Sequence, residues 1–148
     1  MLDRAVDAQP GGPVLLGSYQ PWEDKPPDVE ALRDVAFTYD NALASTALFA
    51  CGQPASARRV ADALVLATSN DPECHDGRVR NAYRSGPVKE PTMTLPGYWS
   101  VERRAWNQDT YQVSFATGNT AWTALALLEA FRRTRHSPYL DAARRVLE

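Results

Sequence analysis

The chain predicts an all-α fold built from repeated αα-hairpins, with a long inserted loop between them. Three observations carry that expectation. First, two segments resemble each other: Asp40–Leu64 (DNALASTALFACGQPASARRVADAL) and Gly118–Leu147 (GNTAWTALALLEAFRRTRHSPYLDAARRVL). Each opens near an Asn, runs through an Ala/Leu-rich stretch, breaks, and enters a second stretch carrying Ala-Arg-Arg-Val. Asn41 corresponds to Asn119, Ala47 to Ala126, Leu48 to Leu127, and Ala57–Val60 to Ala143–Val146. Second, the apolar residues of these stretches recur at helical spacing. Third, the chain between them is polar, aromatic and rich in turn residues.

In chain order, the first 30 residues are rich in Pro and Gly (Pro10, Gly11, Gly12, Pro13, Pro21, Pro26, Pro27). They read as an extended arm that packs locally through Val14, Leu15, Leu16, Tyr19 and Trp22. Pro26-Pro27-Asp28 opens a short helix reaching about Val35. The division is therefore an arm with a short helix over 1–34 and a hairpin domain over 35–148.

The first long helix begins at Thr38–Asp40 and ends near Ala50. It has almost no charged face, which predicts burial nearly all round and makes Cys51 at its end a small core residue. Gly52-Gln53-Pro54 stops it, with Gly suited to the position just past the helix. The second helix, from about Ala55 to Thr68, presents Val60, Leu64 and Ala67 on one stripe and Arg58, Arg59 and Asp62 on the other.

From Ser69 to Phe115 the pattern changes. Asn70-Asp71-Pro72 and Asp76-Gly77 are turn signals. A strand over 78–83 and a partner over 95–101 would form a short β-hairpin. A loop of about 45 residues in a compact domain is usually functional. The third helix, Gly118 to Arg132, is again Ala/Leu-rich, with Trp122 read as core. The fourth starts at Ser137-Pro138, Ser as N-cap and Pro as first helical residue, with Leu140, Ala143 and Leu147 inward.

A 148-residue chain suits one domain, and its 44% hydrophobic content argues against disorder. A net charge of -2 gives no reason to expect a nucleic acid or an acidic membrane as partner. Its arginine pairs read as solvated helix faces. The apolar stretches fall short of a ~20-residue membrane span. Asp3, Arg4 and Asp7 argue against a signal peptide in this sequence, so it reads as cytoplasmic or as a mature secreted form. Metal binding is not expected: Cys74-His75 would need at least two further ligands, and His136 is the only other histidine. No cofactor motif stands out: a phosphate-binding Gly-rich loop, HExxH and GxSxG are all missing from the sequence.

Phe37-Thr38-Tyr39-Asp40-Asn41-Ala42-Leu43 resembles the start of an inner helix in the six-hairpin glycosidase superfamily, the (α/α)6 toroids. Asp76–Tyr83 resembles the short hairpin after the first helical pair in bacterial members. Gln108–Val113 followed by Thr117-Gly118-Asn119-Thr120-Ala121-Trp122 resembles the start of their next inner helix. The resemblance covers about residues 35–148. It implies a partial (α/α) toroid and carbohydrate-directed activity, usually hydrolysis of a glycosidic bond by paired carboxylates. The partner it implies is an oligosaccharide or polysaccharide. A closed toroid takes roughly ten to fourteen helices, and this sequence supplies about four. It therefore reads as a fragment lacking C-terminal helices, as one piece of a split or oligomeric assembly, or as a natural truncation.

Corresponding helices in repeated hairpins run parallel, so the first and third start at one end, which the insertion covers. That end should gather Asp40, Asp76, Glu102 and Asp109. Tyr39, Asn41, Tyr83, Trp99, Trp106, Tyr111 and Asn119 are the expected substrate contacts, with Tyr98 close by. Aromatic faces stack on sugar rings, and carboxylates bond hydroxyls or act as acid and base. Asp40 and Asp109 are the preferred catalytic pair. Glu102, flanked by Trp99 and Trp106, is the alternative acid. Plainer expectations compete: Asp40, Asn41 and Asn119 cap helices, and Asp76 serves a turn. The rival function is a non-catalytic helical repeat module that binds a protein or a glycan.

Overall fold

The computed structural model describes residues 1–19, 27–89 and 92–148. Trp22, expected to pack the arm, lies outside them. The chain is rich in helix but not all-α, because short strand pairs tie its loops to the helices. The helices are α1 (Leu2–Asp7), α2 (Thr38–Ala50), α3 (Pro54–Ala67), α4 (Thr117–Thr134) and α5 (Ser137–Leu147), with a short 3-10 helix over Pro27–Leu32. The strands are β1 (Val14–Leu15), β2 (Val35–Phe37), β3 (Ala82–Arg84), β4 (Gly86–Pro87), β5 (Tyr98–Ser100) and β6 (Ala105–Asn107).

The strand pairing corrects the expected hairpin. Residues 78–83 and 95–101 do not pair. Instead β3 runs antiparallel to β2, with Ala36 opposite Tyr83, and β1 pairs with β4. The segment 95–101 contributes β5 to a local hairpin with β6, in which Trp99 faces Trp106 across the strands. The helix expected to reach Val35 stops at Leu32, because Val35 is already in β2.

α2 packs on α3 and α4, and α4 packs on α5. Gly52 takes φ +73°, and the Gln53 amide donates to Leu48 O (2.9 Å), closing the end of α2 before Pro54 restarts a helix. On α3, Val60, Leu64 and Ala67 are buried as expected. On α5 the inward residues are Tyr139, Ala142, Ala143 and Val146, while Leu147 is exposed. The helix therefore sits rotated from the expected stripe, because the Tyr139 hydroxyl reaches α3 and donates to Asp62 Oδ1 (2.7 Å). Ser137 is not the N-cap; His136 is, and no side chain caps that end.

Four further expectations fail on packing. α2 and α4 are not buried all round: Tyr39, Leu43, Trp122, Leu125 and Leu128 are exposed, since no other described element covers that side. Cys51 is exposed too, past the last turn of α2. The arm is less extended than expected, because α1 carries Val6 into the same core as Val14 and Leu15. Arg59 is no solvated charge. Its guanidinium donates to the carbonyls of Gly12, Val6, Gln9 and Pro10 and clasps the arm to α3. No described helix is long and apolar enough to cross a membrane.

Candidate functional site

The insertion is organised by a short segment, Arg80–Tyr83. The Arg80 guanidinium is buried and grips Asp71 through two nitrogens, Nε to Oδ2 at 2.7 Å and one terminal nitrogen to Oδ1 at 3.0 Å. It also donates to Glu73 (2.8 Å) and to Val113 O (2.6 Å). Asp71 Oδ1 accepts the amides of Glu73 and Cys74, and Oδ2 accepts the Tyr83 hydroxyl at 3.1 Å. Burial pushes the Asp71 carboxyl up, but Arg80 and the two amides outweigh it and hold the group below its ordinary value. Burial likewise raises the Tyr83 phenol. Tyr83 is 1% exposed and bonded inside the core, which rules out its expected role as a stacking surface for sugar.

Asn81 joins the starts of α2 and α4. Its carbonyl accepts the Thr38 amide at the start of α2, and its Oδ1 accepts Asn119 Nδ2 (2.6 Å) in the first turn of α4. Both helices therefore start at the same end and run parallel. Asn81 Nδ2 also donates to Tyr111 O and Ser114 Oγ, fixing the 109–114 turn against that end. Asn119 is consumed in this joint rather than in a cap. Asn41 is buried and holds the arm: its Oδ1 accepts the Leu16 amide (2.8 Å), and its Nδ2 donates to Leu16 O and Phe37 O. Asn41, 1% exposed, is therefore not a free substrate contact.

The three candidate acids lie on three elements. Asp40 is exposed in the first turn of α2. Asp109 is exposed, and its Oδ1 accepts the Gln112 amide (3.0 Å), which makes it the cap of the 109–114 turn. Glu102 is exposed in the turn between β5 and β6, so the flanking tryptophans do not bury it. Among the described residues no hydrogen bond or ion pair joins any two of them. Asp76 is a turn residue that accepts from Arg78 and Cys74, and those bonds lower its carboxyl well below the usual range.

Exposed aromatic side chains mark three places. Tyr39 meets Trp122 edge-on, 5.5 Å between centroids, on the open side of α2 and α4. Trp122 is therefore not core. Tyr111 leans on Phe37, which in turn touches Tyr19, with centroids 6.3 Å apart in both cases. Trp99 and Trp106 are 58% and 54% exposed on the β5–β6 hairpin. The Trp106 indole lies so close over Gly97 that a Cβ there would sit 2.6 Å from its Nε1.

A groove of about 460 Å3 runs beside that hairpin, lined by Glu30, Ala31, Tyr98, Trp99, Val101 and Glu102. It brings two carboxylates, Glu30 and Glu102, together with aromatic rings. Sequence reasoning misses Glu30, because the short 3-10 helix carrying it is distant in the chain. Its place is set by Gln112, whose Nε2 donates to Ala31 O (2.7 Å) from the 109–114 turn. Asp40, Asp109 and Tyr39 do not line this groove. No group of three potential metal ligands occurs among the described residues. A scan against protein-family models and searches of curated proteins and solved structures find no match to this chain.

Proposed function

We propose that this chain is a carbohydrate-binding helical-hairpin domain of the six-hairpin glycosidase type. In this reading α2–α3 and α4–α5 are two hairpins of an (α/α) toroid, and glycan binds in the groove beside the β5–β6 hairpin. The observation that carries it is Trp99, more than half exposed in a groove with Glu30 and Glu102 and paired across the strands with an equally exposed Trp106. Exposed indoles offer flat apolar faces to the C–H side of a sugar ring, while carboxylates accept from its hydroxyls. Hydrolysis would need two carboxyl groups ~5–5.5 Å apart for retention or ~6.5–9.5 Å for inversion. Glu102 and Glu30 share one groove, as the sequence-preferred Asp40 and Asp109 do not, and Glu30 also pairs with Arg33 at 3.5 Å.

The test is tryptophan fluorescence titration with neutral and acidic oligosaccharides. A saturable change should weaken roughly tenfold in Trp99→Ala. It should persist in Glu102→Gln, which should lose any turnover. Asp109→Asn should leave binding unchanged. The absence of a response to every glycan would sink the reading and favour the second one, a non-catalytic helical module binding a protein. That second reading draws on one observation, the uncovered apolar side of α2 and α4.

A further inference from the structure

Most arginines of the long helices are bonded. Arg59 clasps the arm, Arg132 and Arg133 share Glu129, Arg144 pairs with Asp141, and Arg145 donates to Thr68 Oγ1. On α3, α4, α5 and the turn between the last two, only Arg58 and Arg135 make no side-chain hydrogen bond or ion pair among the described residues. Both line one cavity of about 450 Å3, with Asp62, Thr134, His136 and Tyr139. Two unpaired guanidiniums on one cavity offer a surface to an anion.

The one acid in the cavity is engaged elsewhere. Arg58 and Asp62 stand four residues apart on α3, a spacing at which opposite charges pair along a helix. They do not pair here, because Asp62 Oδ1 accepts the Tyr139 hydroxyl at 2.7 Å. Tyr139 is 2% exposed, so the packing of α5 on α3 fixes that bond. Burial raises the Tyr139 phenol, the Asp62 bond adds to it, and the charge of Arg58 works against both. Arg58 therefore stands near the Tyr139 hydroxyl with its donors free. Asp62 Oδ2 makes no hydrogen bond among the described residues and is left to accept one from a ligand.

Arg135 occupies its place under strain. It follows the last residue of α4 with φ +58°, a left-handed conformation that ordinarily falls to Gly. Its guanidinium lies over the Phe131 ring, 5.9 Å from the centroid. Strained residues of this kind collect at functional sites. The cavity lies at the end of α4 remote from Asn81, about 27 Å along an 18-residue helix. It shares no lining residue with the groove beside the β5–β6 hairpin.

We propose that this cavity binds a small phosphate monoester, with Arg58 and Arg135 on the phosphate and Asp62 accepting a hydroxyl of the same molecule. A dianion balances two guanidiniums, and the planar fork of each matches phosphate oxygens. The volume lies at the lower end of small-molecule sites. The site stands apart from the glycan reading.

Isothermal titration calorimetry with glycerol 1-phosphate at low salt tests it. Binding should saturate, and inorganic phosphate, which lacks the carbon-bound hydroxyls, should bind roughly tenfold more weakly. Arg58→Gln and Arg135→Gln should each weaken the monoester at least about tenfold, with helix content unchanged because both side chains are exposed. Arg144→Gln removes the same charge from α5 outside the cavity and should change nothing. Arg135→Gly should weaken binding while raising the melting temperature by a few degrees, since Gly relieves the left-handed backbone. A titration with no saturable heat at about 10 mM monoester would overturn the proposal. Equal losses in Arg144→Gln would reduce the effect to diffuse charge attraction and overturn it as well. Equal affinity for inorganic phosphate, or full affinity in Arg135→Gly, would do the same.

Discussion

Replacing Asp71 by Asn should destabilise the chain by about 3 kcal/mol, because it strands a buried guanidinium. The side chains of Asp71 and Arg80 are 1% and 6% exposed, and their contact is bidentate. Asparagine keeps the shape of the carboxylate and can still accept the Glu73 and Cys74 amides. It cannot supply the negative charge. Arg80 would be left with Glu73, whose side chain is 70% exposed and screened by water. Removing Glu73 itself, as Gln, should cost under about 0.5 kcal/mol. Urea unfolding followed by circular dichroism reads both, and the Asp71 variant should also melt about 10 °C lower.

The pH dependence gives a second signature. The folded-state carboxyl of Asp71 is held below its ordinary 3.8. A depressed acid contributes its full stabilisation above that ordinary value and loses it as pH falls through the folded-state one. The difference between wild type and Asp71→Asn should therefore be constant near neutrality and shrink below about pH 4. Other lowered carboxyls, at Asp3, Asp76 and Glu129, are present in both proteins and cancel in the difference. A smaller cost for Asp71→Asn than for Glu73→Gln would refute the buried pair as the frame of the insertion. A difference that does not change in acid would refute the depressed carboxyl.

Two other substitutions separate the arm from the hairpin. Asn41→Ala removes three hydrogen bonds that hold Leu16 and Phe37. It should cost roughly 2–3 kcal/mol and speed proteolytic cleavage of the arm; unchanged protection would show that Arg59 and the β1–β4 pairing hold it without Asn41. Gly97→Ala should push the Trp106 indole off the backbone, since the new methyl would lie 2.6 Å from its Nε1. Glycan affinity should fall several-fold with little change in urea midpoint, and equal affinity would take Trp106 out of the site.

The helical part of the fold is legible in the sequence because its signals are local. Gly52 and Pro54 end one helix and start the next, and the apolar spacing of Val60, Leu64 and Ala67 names the buried side of α3. The strands are legible in part: the expected segments 78–83 and 95–101 touch β3 and contain β5, but their partners are not. They have two or three residues each, too few for an alternating pattern, and β2 pairs with β3 across the whole α2–α3 hairpin. Asn41 and Asn119 stand out in the sequence, but their partners, Leu16 and Asn81, are distant in the chain. A capping role is the only local one on offer. Arg80 escapes notice for the same reason: in an irregular segment it looks like any solvated arginine, and only its placement beside Asp71 buries it. The groove is half legible. Trp99, Trp106 and Glu102 are close in sequence, whereas Glu30 arrives through Gln112 and Ala31.

Stability and recognition are carried by different parts of the insertion. Arg80, Asn81 and Tyr83 are buried and bonded to α2, α4 and the 109–114 turn, so substitutions there act on the whole molecule. The β5–β6 hairpin makes its extensive contacts within itself, and its tryptophans stay largely in water. Large apolar side chains left exposed on a hairpin add little to folding, because little area leaves water when the chain folds. Their removal should hardly move the melting temperature. A loss of glycan affinity in Trp99→Ala would then report a lost contact, whereas the same loss in a variant of Arg80 would not. The pairing of a rigid, buried frame with an exposed aromatic hairpin is what makes the glycan proposal open to a clean test.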